Sequence, residues 1–143
     1  LYSVKINYNL FVYGSLRSGF NSDAYRYVSR YFNLVGTAKV KGVLFDLGDY
    51  PAALPTTNDA FIIGELYTIK NETEFEWAIE QLDDYEGLHV ELGETQLYRR
   101  ELVDVFCNDN TIQAWIYWCN QTVENKPLIE SGDVMEYFKS KQK

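Results

Sequence analysis

The chain has 143 residues, 46% hydrophobic and 16% aromatic with 12 tyrosines, which suits one domain burying about two thirds of its unfolded surface and excludes a disordered chain. Lys and Arg number 13 against 21 Asp and Glu, a net charge of -8, so the electrostatic footprint of a nucleic-acid-binding protein is missing. The longest apolar stretches are strand-sized and no charged-then-apolar leader opens the chain, so a soluble, cytoplasmic protein without a membrane partner is expected.

Residues 10–12 form an apolar run that reads as a buried strand and breaks at Gly14-Ser15. Such a junction is either a plain turn or an anion-binding nest, in which Gly14 lets a ligand approach the backbone and Ser15 adds a hydroxyl donor. Asn21-Ser22 offers a helix cap. Ala24, Tyr27, Val28, Tyr31 and Phe32 then recur at helical spacing, with Gly36 closing the segment. Residues 40–47 read as a second strand that ends in a loop through Pro51-Ala52-Ala53, and Phe61–Ile69 reads as a third. Phe61, Ile63, Glu65, Tyr67 and Ile69 share one face of that third strand. Glu65 is the odd carboxylate there, either satisfied at a barrel rim or by a tyrosine, or catalytic. Asn71 caps a helix whose buried side is Phe75, Ala78, Ile79 and Leu82 and which runs into Asp83-Asp84-Tyr85-Glu86-Gly87.

Tyr98–Cys107 and residues 111–119 make a β-hairpin around Asn108-Asp109-Asn110. Cys107 and Cys119 lie on its two arms but about eight residues out of register, roughly 26 Å at strand rise. A disulfide needs Cα atoms within about 7 Å, so free buried thiols are expected, in keeping with a reducing compartment. After Ser131-Gly132-Asp133 a short helix uses Val134, Tyr137 and Phe138. The strands do not alternate regularly with crossover helices, which points to an α+β domain with a small barrel or strongly curled mixed sheet. One domain over residues 1–143 is expected, with 1–9 as a candidate extension.

His89 is the one histidine and no close cysteine pair exists, so a histidine-based triad, a zinc site and a redox dithiol all lack parts. The glycine loop carries neither a Walker A lysine nor a dinucleotide fingerprint, and neither metal nor cofactor is expected. Carboxylate chemistry remains. Asp83, Asp84 and Glu86 gather at a helix C-terminus, where the macrodipole disfavours anions and so favours proton uptake, as a general base needs. The alternative is a solvated acidic helix end. Asp83 and Asp84 read as the solvent-facing pair, and Glu86, just before Gly87, as the carboxylate aimed into a cleft.

Six stretches in order extend from about Leu10 to Asp133: Phe11-Val12-Tyr13-Gly14-Ser15-Leu16, Gly42-Val43-Leu44-Phe45-Asp46-Leu47-Gly48-Asp49-Tyr50-Pro51-Ala52, Gly64-Glu65-Leu66-Tyr67, Leu82-Asp83-Asp84-Tyr85-Glu86-Gly87, Tyr98 with Arg100, and Ala114-Trp115-Ile116-Tyr117. Together they resemble the γ-glutamylcyclotransferase-like family, especially its small γ-glutamylamine-cyclotransferase-like members. The resemblance implies an α+β fold: a small mixed β-barrel of about five or six strands with flanking helices and a pocket at the Tyr-Gly-Ser-Leu loop. It also implies an enzyme that cyclises a γ-glutamyl group to 5-oxoproline and frees the attached amine or amino acid. By motif position Glu86 is the catalytic glutamate, and Tyr13, Gly14, Ser15 and Leu16 form the substrate-binding loop.

In such a substrate the α-amine attacks its own γ-carbonyl, so no enzyme nucleophile is needed and one carboxylate can serve as acid and base. Tyr98 and Tyr117 read as pocket liners or as core tyrosines, and Arg17 as a positive charge near the loop or an exposed arginine. The chain departs from the family pattern in the nine residues before Leu10 and in Val134, where related chains often carry Trp. The partner expected is a small γ-glutamyl substrate whose leaving amine the motifs do not specify. The alternative is a non-catalytic pocket for a small carboxylate on the same fold.

Overall fold

Asn108 and Asp109 take φ of 51° and 64°, the two left-handed positions of the type I′ turn that suits a tight hairpin. They join β5 (Tyr98–Cys107) to β6 (Asn110–Cys119). The computed structural model describes residues 7–14, 17, 23–48, 51–85 and 97–141. In chain order the remaining elements are β1 (Asn9–Val12), α1 (Asp23–Tyr31), β2 (Phe32–Asp46), β3 (Pro51–Pro55), β4 (Phe61–Ile69), α2 (Phe75–Tyr85) and α3 (Val134–Lys141).

The strands close on themselves. β1 runs antiparallel to β4 and parallel to β6, β4 pairs with β2, β6 pairs with β5, and Lys39 of β2 meets Phe106 of β5. The ring β2-β4-β1-β6-β5 is a five-stranded mixed barrel, and β3 is a sixth strand on β2. This is the expected α+β barrel with flanking helices. Among the described residues, closure leaves β3 as the strand with an open side, and proline at both its ends blunts that edge against pairing with another chain.

Two apolar layers follow from the period-two alternation of β1 and β4. Phe11, Ile62 and Leu66 join Val40, Leu44, Val105, Ala114, Ile116 and Trp118 inside the barrel. Leu10, Val12, Tyr67 and Ile69 point the other way, against Val28 of α1 and Phe75, Ala78, Ile79 and Leu82 of α2. Asn71 accepts from the Thr73 amide and leads through a short 3-10 turn, Glu72–Glu74, into α2. Cys107 and Cys119 are free and buried, as register predicts: they face Asn110 and Tyr98. Burial pushes the Cys119 thiol up, which keeps it protonated and inert.

Three elements differ from the sequence expectation. Phe32 opens β2 rather than completing the helical stripe, and β2 runs from Phe32 to Asp46 instead of over residues 40–47. Gly36 does not close a helix: it sits where the β2–β4 register shifts, between Leu34 and Gly36. That irregularity leaves Leu34 and Val35 exposed and masks the strand period in its first half. β3 replaces an expected loop. Its terminal prolines, Pro51 and Pro55, are tolerated because the strand lies at the margin of the sheet, where an absent N–H breaks no ladder.

Candidate functional site

β1 delivers Tyr13 and Gly14 to one end of the barrel. Tyr13 is buried, and its hydroxyl donates to the Tyr117 carbonyl at 2.5 Å. The Arg17 amide donates to Gly14 O at 2.9 Å. Gly14 lies beside Pro51, since a Cβ built there would stand 3.5 Å from the proline Cγ. Tyr98, the first residue of β5, donates its hydroxyl to Pro51 O at 3.1 Å. Tyr13, Gly14, Tyr98 and Tyr117 therefore surround the end of β1. Ser15, Leu16 and Glu86 lie outside the described residues.

Arg17 is not an exposed arginine. It is 7% accessible, and its Nη1 pairs with Asp133 Oδ1 at 2.9 Å. Asp133 caps α3: the same oxygen accepts from the amides of Met135 and Glu136. Burial works against the Asp133 charge, but the Arg17 guanidinium and those two amides outweigh it and hold the carboxyl below its ordinary value. A carboxylate depressed in the folded state contributes stability above its unfolded pKa of about 4, and that contribution disappears as pH falls through the folded value. Asn still caps a helix well, so Asp133→Asn removes chiefly the charge pairing. The variant is expected to melt below the parent at neutral pH, with the gap closing as pH falls below about 4. Thermal melts of both proteins across that range check it; a gap of constant size would contradict the assignment.

Asp83 also departs from expectation. Asp84 is exposed, but Asp83 is 4% accessible. It stands four residues after Ile79 and so continues the buried stripe of α2. Its carboxylate accepts from Arg100 Nε at 2.8 Å and Nη2 at 3.1 Å, and from the Tyr117 hydroxyl at 2.8 Å. A buried charge is tolerable with this bidentate pairing and the additional donor. The Arg100 guanidinium in turn lies 4.4 Å from the centre of the Trp115 ring. Sequence reasoning missed both partners. The i, i+4 spacing from Ile79 was the available signal for Asp83.

Glu65, opposite Val12 across the β1–β4 ladder, is buried and accepts from the Tyr67 hydroxyl at 3.1 Å. This matches the reading in which a tyrosine satisfies it. Burial, together with the adjacent Glu65 charge, pushes the Tyr67 phenol well above its usual range, so it stays a neutral donor. Among the described residues no group of three or more His, Cys, Asp and Glu side chains is placed to hold a metal ion, and no helix is long and apolar enough to cross a membrane.

The chain as a whole is similar to known proteins. The family model described as gamma-glutamyl cyclotransferase, AIG2-like, matches residues 10–136. The gamma-glutamylcyclotransferase family protein YtfP of Escherichia coli is 30% identical over 128 residues, 89% of this chain and 96% of that one. The gamma-L-glutamyl-butirosin B gamma-glutamyl cyclotransferase of Niallia circulans is 33% identical over 115 residues, 79% of this chain and 67% of the relative. The crystal structure of YkqA from Bacillus subtilis superposes with a TM-score of 0.70 at 28% identity. That match covers 96% of this chain and 44% of the longer protein.

Proposed function

Because the chain belongs to the gamma-glutamyl cyclotransferase, AIG2-like family, we propose that it converts a γ-glutamyl amine or γ-glutamyl amino acid to 5-oxoproline and free amine. In this reading Glu86 is the general acid/base, and the loop of Tyr13, Gly14, Ser15 and Leu16 binds the substrate. The observation that carries it is the hydrogen-bonded link from Tyr13 through Tyr117 to Asp83. One end of that link is where the loop begins. The other is the last turn of α2, which ends at Tyr85, one residue before Glu86. The link ties the end of β1 to the last turn of α2, which supports a reading in which chemistry is shared between the stretches that follow them.

The chemistry asks little else of the protein. The substrate's α-ammonium, with a pKa of roughly 8, must lose a proton before it attacks its own γ-carbonyl. The departing amine must gain one. A single carboxylate performs both transfers by taking the proton and returning it. Amides of the loop would hold the substrate's carboxylate or steady the oxyanion on the γ-carbon. In this reading Tyr98 and Tyr117, which stand beside the end of β1, would line the pocket. The Niallia relative is named for a γ-L-glutamyl group on butirosin B, which supports a small γ-glutamylated molecule as substrate here. The two buried free thiols suit a reducing, cytoplasmic setting.

Incubation with a panel of γ-glutamyl amino acids and γ-glutamyl amines tests the proposal. At least one substrate should yield 5-oxoproline and free amine in equal amounts. If 5-oxoproline raises the melting temperature but no member of the panel is turned over, the pocket is a binding site and the enzyme reading fails.

A further inference from the structure

Across the β5–β6 ladder Arg100 stands directly opposite Tyr117, so both side chains leave the sheet on one face. Both end on the same carboxylate. Asp83 Oδ1 accepts from Arg100 Nε and the Tyr117 hydroxyl, and Oδ2 accepts from Arg100 Nη2. Trp115, two residues before Tyr117, supplies the ring against which the guanidinium lies. The carboxylate is thus held by three hydrogen bonds from two side chains, and the Tyr117 carbonyl is held by Tyr13.

Stability alone does not account for this arrangement. A buried ion pair roughly breaks even against a well-packed apolar replacement, because desolvation offsets the attraction. What it provides is a defined geometry. The last turn of α2 carries no basic residue, although Asp83 and Asp84 both sit at the negative end of the helix dipole. Arg100 brings from β5 the positive charge that this end lacks.

We propose that Asp83, fixed by Arg100 and Tyr117, is the positioning residue that sets the end of α2, and so Glu86, relative to the loop that begins at Tyr13. This inference rests on the acid/base reading of Glu86. Asp83 lies in the last turn of α2, which ends at Tyr85, and Glu86 is the next residue in the chain, so the direction of the helix end sets where the chain leaves toward it. A displacement of about 1 Å in a reacting group costs on the order of 100-fold in rate.

Arg100→Ala and Asp83→Asn are expected to lower kcat by about 10- to 100-fold with KM changed by less than about threefold. The double variant should be no slower than the worse single one, since both remove the same contact. Added guanidinium ion should restore part of the Arg100→Ala rate. Tyr117→Phe, which deletes one hydroxyl and keeps the ring, should lower kcat by a few-fold and serves if the charge variants fold poorly. Hydrogen exchange of the parent and Arg100→Ala supplies a readout that needs no substrate: the last turn of α2, residues 82–85, should exchange faster in the variant while β1, β4 and β6 stay protected.

Parent-like kcat in folded Asp83→Asn and Arg100→Ala, independent additive losses, or unchanged exchange in the last turn of α2 would overturn the positioning role. The two readings fail separately. If Glu86→Gln is inactive while these variants keep full kcat, positioning alone is wrong. If Glu86→Gln is fully active, the acid/base reading is wrong whatever Arg100 does.

Discussion

Glu86→Gln is expected to lower 5-oxoproline formation by about 10²- to 10⁴-fold, or roughly 3 to 5 kcal/mol of transition-state stabilisation, with the melting temperature close to that of the parent. Glutamine keeps the shape and length of the side chain and can still donate and accept hydrogen bonds. It cannot accept a proton from an α-ammonium with a pKa of roughly 8 or return one to the departing amine. The loss should therefore fall on kcat, with KM little changed, because the proposed function gives the substrate's negative groups to the loop and not to the carboxylate. Initial rates under saturating substrate, with a thermal melt of the same preparation, decide it. Equal turnover by the variant and the parent removes Glu86 from the mechanism.

The second large effect is on stability. Gly64 lies in β4 opposite Ala38 of β2, on the strand that also carries β1. A Cβ at this position would overlap the Val12 carbonyl oxygen and stand 2.6 Å from the Phe11 ring. Val12 belongs to a strand paired on both sides, so the clash cannot be relieved by rotating one side chain. Gly64→Ala is expected to cost about 3 kcal/mol, the upper range for overpacking a core, or roughly 10 °C in melting temperature. It should also impair turnover, since Val12 leads directly into Tyr13. Gly48 is the control. It has φ of 99° but open space around its Cβ position, so Gly48→Ala should cost only about 1 kcal/mol of backbone strain. Denaturant unfolding of the two variants beside the parent measures the difference. A Gly64→Ala variant within about 0.5 kcal/mol of the parent would show that β1 and β4 are not packed as described.

Much of the barrel could be read from local chemistry. The alternation in β4, the capped start before α2 and the Asn108-Asp109 turn are short-range signals, and the structure keeps all three within a residue or two. Local signals failed where long-range pairing decided. Phe32 continues a helical spacing, yet pairing with Ile69 makes it the first residue of β2. Gly36 looks like a helix stop because a bulge and a stop use the same residue type. Pro51 and Pro55 hide β3 because proline is excluded from most strands except at margins.

The site divides in the same way. Tyr13 and Gly14 follow from a strand that ends in a glycine turn. Asp83 reads as solvent-facing in the sequence because two adjacent carboxylates at a helix end are usually hydrated. Its burial depends on Arg100, 17 residues away and on a different element, and on the register that sets Arg100 opposite Tyr117. The burial of Arg17 depends on Asp133, 116 residues distant. No local pattern encodes either pair.

In the proposed reaction the substrate's own α-amine, and not water or a side chain, attacks the γ-carbonyl. Turnover in water enriched in the heavy oxygen isotope tests this most directly, with mass analysis of the acyl product. Intramolecular cyclisation adds no water, so the predicted product is 5-oxoproline carrying no label. Labelled glutamate would contradict the account, because it would mean that water attacked the amide and that the fold hosts a hydrolase.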